Sequence, residues 1–108
     1  MSITLRDAQH ISWKNFRKMN GTLGPETGNK WTPFTMVTDL LEEAGEVAAA
    51  IKGLEKFKAY EKPKTKEMLA TELSDVLYII FIVAEHYGID LEEVFMQTLN
   101  DRIISMLR

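Results

Sequence analysis

Four carboxylates, arranged in two pairs, are the residues of this chain best placed to do chemistry. Glu43 and Glu46 form one pair and Glu72 and Asp75 form the other, each with i, i+3 spacing. On a helix this spacing places both carboxylates on one face, about 5–6 Å apart at Cβ. No Lys or Arg lies three or four residues from any of the four acids. Two helices that each offer two unneutralised carboxylates predict an all-oxygen site for a hard divalent cation.

Other kinds of chemistry find little support in the sequence. The chain has no cysteine, which excludes disulfides and thiolate zinc sites and is compatible with a reducing, cytoplasmic location. Neither His10 nor His86 sits in a recognisable nucleophile–base arrangement, and there is no GxxxxGK[ST] phosphate loop. The net charge of −3 argues against broad nucleic-acid binding. The longest apolar run, residues 76–84, is about half of a membrane span, and the N-terminus lacks a hydrophobic signal core, so we expect no membrane partner.

Four helices are predicted to carry the acids, in a single all-α domain covering residues 1–108. Thr32 and Pro33 are typical of an N-cap and a first helical position, Gly88 of a helix end, and Asp90 of a further N-cap. The expected helices cover about 4–19, 33 to 53 or a little beyond, 66–87, and 91 to the C-terminus.

The position of the second acidic pair favours a metal site over an ordinary solvent-exposed acidic face. Glu42 and Glu46 lie roughly opposite the apolar stripe of their helix. If this helix is considered by itself, its acids are equally consistent with a solvent-exposed face. Residues 76–84, however, are apolar on every side, which is typical of a buried element, and Glu72 and Asp75 lie one turn before that run. Unpaired carboxylates at the edge of a buried helix are costly, so they need a partner or a metal.

The two acidic motifs, taken together and in order, resemble those of a known family. Residues 42–46 (EEAGE) and 72–75 (ELSD) are similar to the paired EExxE and ExxD motifs of the MazG-like nucleoside triphosphate pyrophosphohydrolases. The resemblance extends from Trp31, in the lead-in to the first motif, to Arg102 in the last helix. It implies an all-α, four-helix bundle-like MazG fold and an oligomer, either a homodimer or a homotetramer.

The resemblance also implies a reaction and roles for individual residues. Glu43, Glu46, Glu72 and Asp75 would bind Mg²⁺, with Mn²⁺ as a possible substitute, and Glu42 would act either in the outer shell or in water activation. A nucleoside triphosphate would be hydrolysed between its α and β phosphates, giving a monophosphate and pyrophosphate, as in nucleotide-pool housecleaning. Four further residues are candidates for substrate binding: Lys30, Trp31, Asn100 and Arg102.

Several alternatives remain open from the residues themselves. Trp31 suits base stacking or core packing equally, and Asn100 and Arg102 are equally consistent with an ordinary helix surface. The lysines between Lys52 and Lys66 could bind phosphate, although a solvated loop is the simpler interpretation.

A phosphoribosyl-ATP pyrophosphohydrolase is the nearest rival enzyme, but it typically has a Tyr-His pair where this chain has Tyr78 followed by Ile79. A non-catalytic helical interaction module with a structural metal is the alternative of another class.

Overall fold

The computed structural model describes residues 2–19 and 32–107, and this part of the chain consists of helices and short connections without a strand. The helices are α1 (Leu5–Met19), α2 (Pro33–Glu55), α3 (Lys66–His86) and α4 (Leu91–Met106). The all-α class is therefore confirmed, and the helices begin and end close to the predicted residues. No helix within the described residues combines the length and the apolar character needed to cross a membrane.

The helix ends are fixed by the local signals that predicted them. Thr32 is the N-cap of α2: its hydroxyl accepts from the Thr35 N–H at 3.3 Å, while the Thr32 N–H donates to the Thr35 hydroxyl at 2.6 Å. This reciprocal pair is a capping box and satisfies two donors that the first helical turn leaves free. Asp90 caps α4 by accepting from the Glu93 N–H at 3.4 Å. Gly88, just after α3, has a φ of +66°, a conformation that suits glycine.

The chain divides into two compact units, which are described separately. The first unit covers Thr22–Ile80 and holds α2 and most of α3. Its buried residues include Met36, Ala50 and Gly53, all on α2. The second unit covers Met1–Gly21 and Phe81–Arg108, with a core formed by Phe81, Ile82 and Ala84 at the end of α3.

A buried glutamine on α1 links this helix to the connection between α3 and α4 by hydrogen bonds. The Gln9 side chain is 2% exposed, and its amide donates to the Ile89 carbonyl at 2.8 Å while accepting from the Leu91 N–H at 3.2 Å. Gln9 thus satisfies two backbone groups in the connection between α3 and α4. Arg6, on the same helix, pairs with the Asp90 carboxylate at 2.8 Å, and this contact lowers the pKa of Asp90.

The first unit leaves much apolar side-chain surface uncovered. On α2, Val37 and Leu41 are 58% and 68% exposed, and on α3 Leu73, Leu77 and Ile80 are exposed as well. In the run 76–84, which is apolar on every side, full burial within one copy is reached only at Phe81, Ile82 and Ala84. The sequence pattern therefore identified an apolar element correctly without showing which part of it a single chain covers.

Candidate metal and nucleotide site

Three of the four predicted ligands come together between α2 and α3. Glu43 and Glu46 project from α2 and Glu72 from α3, and one carboxylate oxygen of each lies within 4.8 Å of the others. All three residues belong to the first compact unit. The i, i+3 spacing on α2 supplies two of the oxygens, and the packing of α3 supplies the third.

Two oxygens of this acidic cluster have neither solvent nor a hydrogen-bond partner. Oε2 of Glu43 and Oε2 of Glu72 are almost completely inaccessible, and no donor among the described residues reaches them. An unsatisfied buried polar atom is costly and calls for a specific explanation. Carboxylate oxygens held in this way are suited to a divalent cation, because a cation satisfies them and neutralises their charge.

The electrostatics of the cluster point to the same need for positive charge. Burial raises the pKa of Glu43, and the neighbouring charges of Glu46 and Asp75 raise it further. The pKa of Glu72 is raised first by a hydrogen bond with the Glu46 carboxyl group, and then by burial. Two carboxyl groups hydrogen-bond to each other only when one of them carries a proton. Both shifts favour the neutral form of the Glu43 and Glu72 carboxyl groups over the charged form.

The remaining motif acids, Asp75 and Glu42, lie near the cluster but are exposed. Asp75 is not among the three residues whose oxygens meet within 4.8 Å, yet its charge raises the pKa values of both Glu43 and Glu72. Glu42 likewise adds to the raised pKa of Glu43. The role of Asp75 as a fourth ligand and that of Glu42 as an outer-shell or water-activating acid remain predictions.

The predicted substrate-binding residues are distributed over different parts of the chain. Lys30 and Trp31 lie outside the described residues. Asn100 and Arg102 are exposed on α4, which belongs to the second unit, whereas the acidic cluster belongs to the first. Contacts between these four residues and a nucleotide therefore remain predictions.

An apolar groove beside the acidic cluster was not anticipated from the sequence. It has a volume of about 350 Å³ and is lined by Ala44, Val47, Leu73, Val76, Leu77 and Ile80. A signal for it was present, because each of the four motif acids is followed directly by one of these apolar residues. Successive residues on a helix are about 100° apart, so the groove and the acidic face flank one another.

Comparisons with known proteins show which family the chain belongs to. The family model described as the MazG nucleotide pyrophosphohydrolase domain matches residues 31–104, a span that includes every motif acid. A relative from Bacillus subtilis (strain 168), the "Uncharacterized protein YvdC", is 38% identical over 73 residues, which cover 59% of this chain and 69% of that protein. No solved structure gives a significant match. The chain thus belongs to the MazG nucleotide pyrophosphohydrolase domain family.

Proposed function

We propose that this protein is a Mg²⁺-dependent nucleoside triphosphate pyrophosphohydrolase of the cytoplasm. It adds water across the α–β phosphoanhydride, releasing a nucleoside monophosphate and pyrophosphate, and serves nucleotide-pool housecleaning. The observation that carries the proposal is the meeting of Glu43, Glu46 and Glu72, with two buried oxygens unsatisfied, inside a MazG domain.

The donor set fits magnesium. All candidate donors are carboxylate oxygens, which suit Mg²⁺ or Mn²⁺ and suit soft metals poorly. Glu43, Glu46 and Glu72 would hold the ion, and Asp75 would be a fourth ligand. When bound, the ion would screen phosphate charge and lower the pKa of the attacking water.

The chain's own side chains have to arrange these charges. A triphosphate and the acidic cluster repel each other, so a cation held by Glu43, Glu46 and Glu72 would have to offset the carboxylate charge where the phosphates approach. Glu42, exposed and one residue before the cluster, would act either in the outer shell of the ion or in water activation. Because the scaffold is helical, the carboxylates are held in place before substrate arrives, which favours positioning catalysis.

The proposal includes a homo-oligomer, with a second copy covering the apolar groove. Leu41, Leu73 and Leu77 are each about half exposed or more, and they belong to the same unit as the groove. A contiguous apolar face of this kind is typical of an interface. In a two-fold dimer the same patch meets itself, so two copies of this face would cover each other without any further partner.

The reaction is tested by product analysis across a nucleotide panel. The purified protein is incubated with ribo- and deoxyribonucleoside triphosphates, modified triphosphates and phosphoribosyl-ATP, with Mg²⁺, with Mn²⁺ or with EDTA. We expect a monophosphate and pyrophosphate, and no product in EDTA. A diphosphate with orthophosphate would refute the bond assignment, and turnover of phosphoribosyl-ATP alone would select the rival enzyme.

Matched variants test the site. Glu46→Gln should lower kcat/KM at least about 100-fold, more than the loss of an outer-shell contact to a metal ligand. Glu55→Gln removes the same charge from an exposed position at the end of the same helix and should change kcat/KM less than twofold. Equal effects of the two variants would refute the site. A wild-type protein that binds Mg²⁺ but turns over no nucleotide would favour the interaction module.

The oligomer is tested by light scattering of the wild-type protein and of Leu77→Glu. We expect a dimer or tetramer for the wild type and dissociation for the variant, because the new charge would be buried in the interface. Tyr60→Glu, at an exposed site away from the groove, is the control. An active wild-type monomer at micromolar concentration would refute the oligomer.

A further inference from the structure

The segment that joins α2 to α3 carries a charge opposite to that of the rest of the chain. Residues 56–66, here called the lysine segment, hold five lysines and one glutamate, a formal charge of +4. The whole chain carries −3, so the other 97 residues carry −7. We propose that the lysine segment is an oligophosphate-capture surface that draws the triphosphate of the substrate to the acidic cluster, an inference that rests on the proposed function.

The lysines of this segment form no ion pair with a carboxylate of the described residues. Within residues 2–19 and 32–107, the ion pairs of Arg6 with Asp90 and Glu92 lie in the second unit, and no lysine of the segment is joined to a carboxylate. Lys58 holds its ammonium group 5.6 Å from the centre of the Tyr60 ring, a cation–π contact that leaves the charge in place. Because no carboxylate among the described residues pairs with a lysine of the segment, the segment offers its positive charge to an external anion.

The lysine segment is packed onto α2 rather than extended away from it. The Lys62 carbonyl and the Lys64 side chain lie so close to Gly53 that a Cβ there would overlap them. The Phe57 N–H donates to the Lys52 carbonyl at 3.1 Å, and the Glu61 N–H donates to the Lys58 carbonyl at 3.0 Å. At its far end the Thr65 hydroxyl caps α3 by accepting from the Met68 N–H at 3.2 Å. The lysines are therefore held at a defined place on the first unit.

That place is within electrostatic range of the acidic cluster. Glu72 is the sixth residue after Lys66 on α3, and Glu55 is the ninth after Glu46 on α2, so the axial rises are about 9 Å and 14 Å at 1.5 Å per residue. The Debye length is about 8 Å at physiological salt and about 30 Å at 0.01 M. The field of the lysine segment therefore reaches the cluster at low salt and is screened at high salt.

A positive surface near the acidic cluster would offset the repulsion between its carboxylates and an approaching triphosphate. The carboxylates of the cluster repel a triphosphate during approach, and the cation they bind offsets only part of that charge. A fixed positive patch beside a site raises the association rate of an anionic substrate by about 10- to 1,000-fold and has little effect on the chemical step. The proposal thus concerns capture, and its signature is a salt-dependent change in kcat/KM at constant kcat.

The test compares two charge reversals of equal size. Lys58→Glu with Lys62→Glu changes exposed side chains of the segment and spares Lys64, which packs on Gly53. Lys14→Glu with Lys18→Glu makes the same change in net charge on exposed positions of α1. At about 0.01 M salt we expect kcat/KM to fall roughly tenfold in the segment variant and less than threefold in the control, with kcat unchanged in both. At about 1 M salt, where the Debye length is about 3 Å, the difference should disappear.

Binding of inorganic tripolyphosphate in EDTA, followed by calorimetry, tests the surface without turnover or metal. Binding should weaken in the segment variant only. The proposal is overturned if the two variants behave alike, if the loss of kcat/KM persists at high salt, or if a single-stranded oligonucleotide binds the segment more tightly than tripolyphosphate. A wild-type protein that hydrolyses no nucleotide would refute the proposed function instead, and the tripolyphosphate measurement would still decide whether the surface binds oligophosphate.

Discussion

Any side chain at Gly53 is predicted to destabilise the protein, because the space around this residue is already filled. A Cβ built at Gly53 would overlap the Lys62 carbonyl oxygen and Lys64 Cγ and lie 3.1 Å from Lys64 Cβ. One of the overlapping atoms belongs to the backbone, so relief requires the lysine segment to move. Overpacking of this kind costs about 1–3 kcal/mol. Replacing a helical glycine by alanine gains about 0.5–1 kcal/mol, so the net destabilisation by Gly53→Ala lies between about 0 and 2.5 kcal/mol, with a central value of about 1 kcal/mol.

Gly88 provides the control, because it is restricted by backbone conformation and not by space. Its φ is +66°, and an added Cβ would meet nothing within 4 Å. Gly88→Ala should also destabilise, by about 1–2 kcal/mol, through the left-handed conformation alone. Asparagine distinguishes the two mechanisms: it tolerates this conformation, so Gly88→Asn should recover most of the loss, whereas Gly53→Asn should be worse than Gly53→Ala.

Thermal unfolding followed by circular dichroism measures these differences. A loss of 1 kcal/mol corresponds to roughly 4–8 °C in Tm for a domain of about this size. If the lysine segment moves, Gly53→Ala should also weaken tripolyphosphate binding, while Gly88→Ala should leave it unchanged. A Gly53→Ala protein at least as stable as the wild type would refute the close packing of the segment on α2.

Three further predictions follow from the described contacts. In EDTA, the Tm of the wild type should fall as the pH rises from about 4.5 through the raised pKa values of Glu43 and Glu72, because the folded chain binds more protons there than the unfolded chain. Thermal melts of the Glu43→Gln, Glu72→Gln double variant should not show this dependence of Tm on pH. Saturating Mg²⁺, at 100 times its Kd, should stabilise the wild type by about 2.7 kcal/mol in urea titrations, and no stabilisation would count against the site. Gln9→Ala should cost about 2–3 kcal/mol in the same titrations, since it leaves two backbone groups unpaired, whereas Gln97→Ala on the surface should cost less than about 0.5 kcal/mol.

The fold was largely predictable because the residues that begin and end its helices act through local interactions. Thr32, Pro33, Gly88 and Asp90 mark helix ends through interactions within a few residues, and the structure has each of them in that role. The pairing of acids within α2 was equally local, since i, i+3 spacing on a helix fixes it. The family resemblance then linked the two motifs and is confirmed by the match over residues 31–104.

Features that depend on packing between distant segments were not predictable in the same way. No pattern in α1 distinguishes the buried Gln9 from the polar residues on the exposed side, because its partners lie 80 and 82 residues further along the chain. The sequence indicated that one chain leaves part of the apolar run uncovered, but not that Leu77 and Ile80 are in that part, because a pattern reports that a residue is apolar and not what covers it. The packing of the lysine segment against Gly53 is non-local in the same sense.

The unsatisfied oxygens of Glu43 and Glu72 have an evolutionary consequence. An amide at either position would relieve repulsion, so mutations that stabilise the metal-free chain are always within a single substitution. Selection for a stable fold alone would erase such a cluster, since stabilising changes at a strained site commonly reduce function. If the cluster binds a cation, selection for that binding should keep like charges at the junction of α2 and α3 in spite of their cost to the metal-free fold. Within this family, lineages that lost the binding function should drift towards amides or apolar residues at these positions first.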